Sequence, residues 1–210
     1  MRTYLKFLAF FPALAFAQTQ EGYHEHDGFY LSMNAGPAFG PITLTANNGP
    51  IHKLEYSGPG AIVDFKIGGT IKKTLSLSFD VISRDIVGPD VKVDSVKGSS
   101  SSDYSANDIT YGLGATYYFM PINIFLSGTV GIGVFQFKDE LNKIDAKSKS
   151  GLGMQVKVGK EWWVGKDWGL GVSGGIGLVA AKDQDSPDYP DYSGKLSTSK
   201  FFVMFNTTYN

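Results

Sequence analysis

Eight separate stretches of this chain alternate apolar and polar residues, and each stretch is about ten residues long. In the stretch 61–71, for example, Val63 and Phe65 fall on one face, whereas Asp64 and Lys66 fall on the other. Successive side chains of a β-strand point to opposite faces of a sheet, so this alternation predicts strands and not helices. The eight predicted strands span residues 29–39, 61–71, 74–81, 109–119, 124–134, 152–158, 168–178 and 201–209.

The links between these strands alternate between short and long. The short links contain residues 72–73, 120–121 and 165–166, and the long links contain residues 40–59, 84–107, 138–149 and 181–196. Outer-membrane barrels have this rhythm, with short periplasmic turns, longer extracellular loops and an even number of strands. The sequence therefore predicts an all-β fold: a closed eight-stranded antiparallel up-and-down transmembrane β-barrel over residues 29–210, located in the bacterial outer membrane.

Residues 1–17 have the three parts of a secretory signal peptide. Arg2 and Lys6 give a basic start, an apolar run follows, and an A-x-A pattern ends at Ala17. The run is shorter than the roughly 20 residues of a transmembrane helix, which leaves a buried N-terminal helix as the alternative. We expect cleavage after Ala17 and a periplasmic N-terminal tail over residues 18–28. Cleavage changes the formal net charge from −1 to −3, and no basic patch for nucleic acid remains.

The predicted barrel turns one face of every strand to lipid and the other to the lumen. The apolar face meets lipid, because a spanning sheet in hydrocarbon must close on itself and expose apolar side chains. An eight-stranded barrel is just wide enough inside for side chains, so larger groups must fill the space between small ones. Pairing of lysines with carboxylates there predicts a polar plug and not an open channel. The lumen polar cluster consists of Asp64, Lys66, Asp80, Lys157 and Glu161, with Tyr30, Asn34, Tyr118 and Gln155 beside it.

All three tryptophans flank the short turn at 165–166. Trp162 and Trp168 have the parity of the lipid face, and Trp163 has the parity of the lumen. Amphipathic aromatic side chains favour the interface between membrane and water. We therefore expect Trp163 to cap the lumen floor beside Glu161. A periplasmic aromatic girdle is predicted from Tyr117, Phe119, Trp162, Trp168 and Tyr209.

Two segments contain side chains that bind metals in other proteins. His24, Glu25 and His26 offer ligands that zinc accepts, and the alternative is a plain periplasmic tail. The acidic segment 183–191 could collect calcium, but it lacks the glycine and glutamate of an EF-hand, and a solvated acidic loop is the alternative. The chain has no cysteine, which excludes disulfides, thiolate zinc sites and cysteine nucleophiles. We expect no cofactor and no metal.

Two other functions remain as alternatives from the sequence. An outer-membrane enzyme that modifies lipid would need a histidine near a serine and an acid. His52, Glu55 and Ser57 lie close in sequence within the first long link, but nothing in the sequence sets their geometry. A small gated solute pore is the second alternative, and the predicted plug disfavours it.

Two longer motifs resemble a group of uncharacterised bacterial outer-membrane β-barrel proteins. The motifs are "YGLGATYYFMPINIFLSGTVGIG" at 111–133 and "GKEWWVGKDWGLGVSGG" at 159–175. The architecture is also similar to the small eight-stranded barrels of the OmpX and OmpA-like type. The resemblance implies a β-barrel fold in the outer membrane, and it implies no catalytic residue. Chains of this kind commonly end in an aromatic residue. This sequence departs from that pattern, because Asn210 follows Tyr209.

The sequence thus predicts a non-enzymatic outer-membrane protein that anchors four extracellular loops for envelope structure or surface interaction. The expected partners are outer-membrane lipid and lipopolysaccharide, together with the barrel-insertion machinery during biogenesis. No nucleic acid is expected, and the chain is predicted to be a monomer. The sequence does not name a ligand for the loops.

Overall fold

The computed structural model describes residues 26–47, 52–94, 96–185 and 191–210. The predicted signal peptide, residues 1–17, lies outside this part of the chain, as does most of the predicted tail. The described residues form thirteen strands. Their bounds are β1 Gly28–Phe39, β2 Ile42–Asn47, β3 Lys53–Ser57, β4 Gly60–Ile71, β5 Leu75–Val87, β6 Asp90–Val93, β7 Val96–Ser99, β8 Tyr104–Phe119, β9 Ile124–Asp139, β10 Ile144–Lys147, β11 Gly151–Trp163, β12 Trp168–Lys182 and β13 Ser193–Tyr209.

Eight of these strands form a closed antiparallel ring in the order β1-β4-β5-β8-β9-β11-β12-β13. The ring closes between β1 and β13, where Leu31 pairs with Tyr209 and Phe39 pairs with Phe201. Each strand of the ring is hydrogen-bonded to its neighbour in sequence within the ring, which is the up-and-down topology. The predicted fold class is confirmed. Within the described ranges, no helix is long and apolar enough to cross a membrane.

Three short turns lie at the end of the barrel where β1 begins and β13 ends. The turn between β4 and β5 is tight, and Lys72 and Lys73 both have positive φ, 58° and 61°. The turn between β8 and β9 spans residues 120–123, and the turn between β11 and β12 spans residues 164–167. Short turns on the side of the termini mark the periplasmic end of an outer-membrane barrel.

The outer face of the ring is a continuous apolar belt. Along β4, β8 and β11, alternate residues are exposed and apolar, while the residues between them are mostly buried. Contiguous apolar surface of this extent needs an apolar surrounding, which hydrocarbon supplies. The belt includes Phe29, Met33, Val63, Phe65, Ile67, Leu77, Phe79, Tyr111, Leu113, Leu126, Val130, Ile132, Met154, Val156, Leu170, Ile176, Phe201, Val203 and Phe205.

The long links differ from the prediction, because much of their length is strand. β5 continues to Val87, β8 begins at Tyr104 and β9 continues to Asp139, so these strands extend beyond the membrane belt. The links also contain the extra strands β2, β3, β6, β7 and β10. β2 pairs with β13, and the sheet then continues through β3 and β6 to β7. The described part of the extracellular side is therefore a sheet that extends the barrel wall.

The phase of the hydrophobic alternation reverses at the extracellular edge of the belt. On β8, Ile109 faces outward into the belt, but beyond it Asn107 faces outward and Ala106 is fully buried inside. On β9, Phe135 is fully buried in the lumen and its neighbour Gln136 has the outward parity. Above the membrane, the outer face meets water and the interior becomes the apolar side. An alternation of constant phase ends at this reversal, which explains why the extensions of β5, β8 and β9 were not predicted.

A line of three Gly-Pro dipeptides crosses the sheet where this extension begins. They lie at 40–41, 58–59 and 88–89, and the register places Gly40 opposite Gly58. Each glycine has positive φ: 136° at Gly40, 152° at Gly58 and 58° at Gly88. Each proline lacks the N–H that would continue the ladder. The line therefore interrupts the strands and separates the extracellular sheet from the membrane wall.

The belt and the reversal predict different costs for arginine at two outward positions of β8. Leu113 is 71% exposed in the middle of the belt, whereas Asn107 lies above the reversal. Leu113→Arg should destabilise the barrel in bilayers by about 2–4 kcal/mol, and Asn107→Arg by about 0–1 kcal/mol. Urea titration of folding into lipid vesicles measures both. Equal costs at the two positions would contradict the assigned membrane boundary.

Candidate functional site

The lumen of the barrel is filled by alternating ionic and apolar levels. Strand β5 shows the order, since Asp80, Ile82, Arg84 and Ile86 all point inward at successive levels and each is at most 2% exposed. Asp80 and Arg84 belong to two ion networks, and Ile82 and Ile86 belong to two apolar clusters. An aromatic floor lies below them at the periplasmic end.

The lower ion network contains four of the five residues predicted as the lumen polar cluster. Lys157 lies 2.8 Å from Asp64, and Lys66 lies 3.9 Å from the same carboxylate. Lys66 also forms a closer ion pair with Asp80. Gln155 donates a hydrogen bond to Asp64 at 3.1 Å. Two lysines and two aspartates balance in charge, which is the condition for burying ions at tolerable cost.

The space for this network comes from glycine on the neighbouring strand. Asp80 accepts hydrogen bonds from Ser78 at 2.5 Å and from Thr129 on β9. A Cβ atom added to Gly114 on β8 would stand 2.1 Å from a carboxylate oxygen of Asp80. At this position the lumen-facing glycine therefore makes room for a charged group from the adjacent strand.

The sequence did not predict the upper ion network. Asp108 accepts a hydrogen bond from Arg84 Nε at 2.6 Å and also forms an ion pair with Lys200. Arg84 donates further hydrogen bonds to Thr198 at 3.0 Å and to the Gly40 carbonyl at 2.6 Å, where the sheet bends. The signal was present, because these residues continue the inward parity of Asp80 and its counterparts. It was overlooked because Arg84 and Asp108 lie beyond the predicted strand ends.

Two apolar layers separate and cover the ion networks. The middle apolar layer lies between the two networks and contains Ala38, Ile62, Ile82, Phe202 and Met204. The top apolar layer lies above the upper network and contains Ile42, Tyr56, Ile86, Ala106, Phe135, Val179, Ala181 and Leu196. The predicted polar plug therefore accounts for only part of the filling, since two apolar layers fill the rest of these levels.

The aromatic floor closes the periplasmic end. Tyr30, Tyr118 and Phe125 pack together, and the His26 ring stacks on Tyr118 with centroids 3.5 Å apart. His26 also donates a hydrogen bond to Asn123 at 2.9 Å. Trp163 lies inward beside it, with its ring centroid 4.9 Å from that of His26. The end of the predicted tail is thus packed into the barrel at His26.

The sequence-based metal sites are not assembled in the described part of the chain. His24 and Glu25 lie outside the described residues, and so does part of the acidic segment, 186–190. His26 is directed into the aromatic floor. Asp183 accepts a hydrogen bond from Tyr192, and Asp185 pairs with Lys149 at 2.7 Å. Within the described ranges, no group of three or more histidines and carboxylates could hold a metal ion.

Glu161 lies apart from the lower ion network to which the sequence assigned it. It is buried near the floor and accepts a hydrogen bond from Thr208 at 2.7 Å. It forms no ion pair with any residue that the structure describes. The parity of the strand placed it inward, but its distance along the strand from Lys157 separates it from that group.

The five residues predicted as the aromatic girdle lie near the periplasmic end of the outer face. Trp168 and Tyr209 pair across β12 and β13, and their rings meet edge to face at 5.2 Å. Tyr117 and Phe119 make a second such contact on β8 at 4.9 Å. Trp162 lies on β11, one residue before the inward Trp163, and the amine of Lys160 is 5.5 Å from its ring.

The three residues considered for lipid chemistry do not form a catalytic group. The backbone N–H of His52 donates to Asp94, and Glu55 pairs with Lys53 at 3.4 Å. The Ser57 hydroxyl faces the Asp90 carbonyl at 3.5 Å, which does not activate it as a nucleophile. Across the described ranges, these three side chains share no hydrogen bond.

A closed eight-stranded barrel with an apolar outer belt and short turns beside its termini is the architecture of an integral outer-membrane protein. The chain is such a protein, which agrees with the predicted localisation in the bacterial outer membrane.

Neither a protein-family model nor a curated protein matches the chain. It is similar to the outer membrane protein OprG from Pseudomonas aeruginosa, with 10% identity over 89% of this chain and 98% of that one and a TM-score of 0.49. The outer membrane protein AlkL shares 15% identity over 90% and 93% of the two chains, with a TM-score of 0.48. Neisserial surface protein A shares 12% identity over 89% and 99%, with a TM-score of 0.43. Likeness at this level assigns no family and no activity, and the resemblance of 111–133 and 159–175 to an uncharacterised group stays a prediction.

The contact between Gly114 and Asp80 predicts a specific sensitivity of the lower ion network. Gly114→Ala should destabilise the folded barrel by about 1–3 kcal/mol, because the added methyl group displaces a buried carboxylate. Gly128→Ala is the matched control on β9, since a Cβ atom there meets nothing within 4 Å. Urea unfolding in lipid vesicles compares the two. A Gly114→Ala variant as stable as the control would contradict the packing described.

The packing of His26 predicts a pH dependence at the periplasmic end. Burial lowers the pKa of His26 below 6.5, although its hydrogen bond with Asn123 opposes the shift. Docking of this ring is therefore fully favourable above pH 6.5 and weakens as the pH falls from there to the lowered pKa. NMR titration of the imidazole C–H signal, assigned by its loss in His26→Asn, measures this pKa. A pKa at or above 6.5 would contradict the docked position.

Proposed function

We propose that this protein is a sealed, non-enzymatic outer-membrane barrel that presents an ordered extracellular surface for envelope structure or surface interaction. The observation that carries this proposal is the filling of the lumen at five levels in series. Two are ionic, at Asp80 and Arg84, and two are apolar, at Ile82 and Ile86. The fifth is the aromatic floor with Tyr118. A solute would have to displace each level in turn to cross.

The levels differ in what opening them would require. The ion networks resist opening because separating one partner leaves a buried charge unpaired, which costs about 3–5 kcal/mol. The apolar layers resist it because water gains few hydrogen bonds among Ile62, Phe202 and Met204. A gate would need both kinds of level to move together. The sealed lumen is therefore favoured over the small gated pore.

The extracellular surface supports a role in presentation. Beyond the line of Gly-Pro dipeptides, β2, β3, β6 and β7 form a sheet of paired strands, and β10 pairs with the extended β9. Tyr56 and Tyr104 stack inside this extension, with ring centroids 5.6 Å apart. An ordered surface keeps its side chains in fixed positions, so binding to it loses little conformational entropy.

The charges on the outer face support lipid as a partner. Lys182 and Lys195 are exposed, face outward and pair directly across β12 and β13 at the extracellular edge of the belt. Like charges directly opposite each other repel, and an anionic group between them removes the repulsion. We infer that these lysines contact phosphate groups of lipopolysaccharide in the outer leaflet.

The C-terminal strand supports recognition by the insertion machinery. Tyr209 pairs with Leu31 on one side and Trp168 on the other, so it completes the closing seam. Asn210 donates a backbone hydrogen bond to Asp167 at 3.0 Å, which continues the pairing with β12. We propose that Tyr209 carries the insertion signal.

Reconstitution in planar bilayers tests the sealed lumen. The wild-type protein should show no steady conductance. Tyr118→Ala, which opens only the aromatic floor, should also stay silent because four other levels remain closed. Tyr111→Ala removes a lipid-facing ring of the same strand and is the matched control. A steady open state in the wild-type protein would overturn the proposal. If only Tyr118→Ala conducts, the aromatic floor alone closes the lumen, and the other four levels do not.

A further inference from the structure

The extracellular mouth of the lumen contains a cup above the top apolar layer. Its volume is about 290 Å³, and its walls come from β2, β3, β8, β9, β10 and β13 and from Asp183, which follows β12. The floor is formed by Leu196 and Tyr56, which belong to the top apolar layer. Because the levels below are filled, a ligand reaches this cup only from outside the cell. A volume of this size is at the lower end for small-molecule sites.

The walls of the cup are apolar and rich in aromatic rings. The Tyr56 ring stacks on Tyr104 and lies 5.0 Å from Phe137. Ile144 on β10 completes one side, and its side chain is 54% exposed although the surrounding medium is water. An apolar surface held open to water in a concave site favours an apolar ligand. The hydroxyl oxygens of Tyr56 and Tyr104 are 3.0 Å apart and hydrogen-bonded to each other.

The polar groups of the cup are two carboxylates. Asp183 accepts hydrogen bonds from the Tyr192 hydroxyl at 2.6 Å and from the backbone of Gln184 at 2.9 Å. Asp139 accepts hydrogen bonds from the backbone and side chain of Asn142, at 3.0 and 2.7 Å. These contacts hold both carboxylates in place without neutralising them. No lysine or arginine among the described residues lines the cup.

Carboxylates beside aromatic faces attract one kind of small molecule. An ammonium group gains charge-assisted hydrogen bonds from carboxylates and electrostatic attraction from aromatic ring faces. An apolar body attached to it fills the space between Phe137, Ile144 and Leu196. An anion would meet Asp139 and Asp183, and a neutral apolar molecule would leave both carboxylates without a counter-charge.

We propose that this cup is an extracellular binding site for a small organic ammonium ion with an aromatic or branched apolar body. The inference rests on the proposed function in one respect, the sealed lumen beneath the cup. It adds a ligand class to the surface that the barrel presents.

The test uses three probes that share one ring system and differ in charge. They are 1-naphthylmethylammonium, 1-naphthylmethanol and 1-naphthoate, added to the mature protein in zwitterionic lipid nanodiscs. The readout is the ¹³C-methyl NMR signal of Ile144, with the lipid-facing Ile132 as the control for partition into the bilayer. The ammonium should shift the methyl signal of Ile144 but not that of Ile132. It should bind roughly tenfold more tightly than the alcohol. The carboxylate should show no saturable shift of Ile144.

Four variants separate the contribution of charge from that of shape. Asp139→Asn and Asp183→Asn should each weaken binding of the ammonium probe by roughly three- to tenfold and leave the affinity for the alcohol unchanged. Glu140→Gln is the matched control, because Glu140 neighbours Asp139 in sequence but does not line the cup. Phe137→Ala should weaken binding of both the ammonium and the alcohol. Heat-modifiable gel mobility confirms that each variant is folded.

Three results would overturn the proposal: equal affinity for the three probes, equal shifts at Ile144 and Ile132, or no difference between the aspartate variants and Glu140→Gln. The conductance measurement separates this outcome from failure of the proposed function. A barrel that does not conduct and binds no probe would refute the ammonium site and leave the sealed lumen supported. A barrel that conducts and binds the ammonium at Ile144 would refute the sealed lumen and leave the ammonium site supported.

Discussion

Closure of the sheet between β1 and β13 is the constraint on which the rest of the structure depends. Inside hydrocarbon, every backbone N–H and C=O must find a partner in the protein, so no sheet edge can face lipid. The pairing of Leu31 with Tyr209 and of Phe39 with Phe201 satisfies that requirement at the seam. Once the ring is closed with eight strands, its interior is narrow, and side chains alone are enough to fill it.

The filling follows from the same geometry. A narrow lumen brings side chains from opposite walls together, so Lys157 on β11 reaches Asp64 on β4, and Lys200 on β13 reaches Asp108 on β8. Glycine leaves room for such side chains, since a Cβ atom added to Gly114 would stand 2.1 Å from a carboxylate oxygen of Asp80. Charges that would be costly alone are tolerable when lysines and carboxylates pair in networks. The middle apolar layer lies between the two networks and keeps water from linking them.

The reversal of the hydrophobic phase joins two environments in one set of strands. Within the membrane, the strands of the barrel carry apolar residues outside, as at Ile109. Above it, they carry apolar residues inside, as at Ala106 and Phe135, and resemble a water-soluble barrel. The same strands therefore anchor the protein in lipid and form the walls of a cup that opens to the external medium. The Gly-Pro line at 40–41, 58–59 and 88–89 lies where the extracellular sheet begins.

The sequence by itself determined the class of fold, the eight membrane strands and the lumen-facing parity of Asp64, Lys66, Asp80 and Lys157, because alternation with a period of two is a local property of a strand. Tertiary structure decided which inward residues meet. It separated Glu161 from the network, brought Arg84 to Asp108, and folded the long links into strands. Local periodicity cannot carry this information, because partners across a barrel depend on register, tilt and the width of the closed ring.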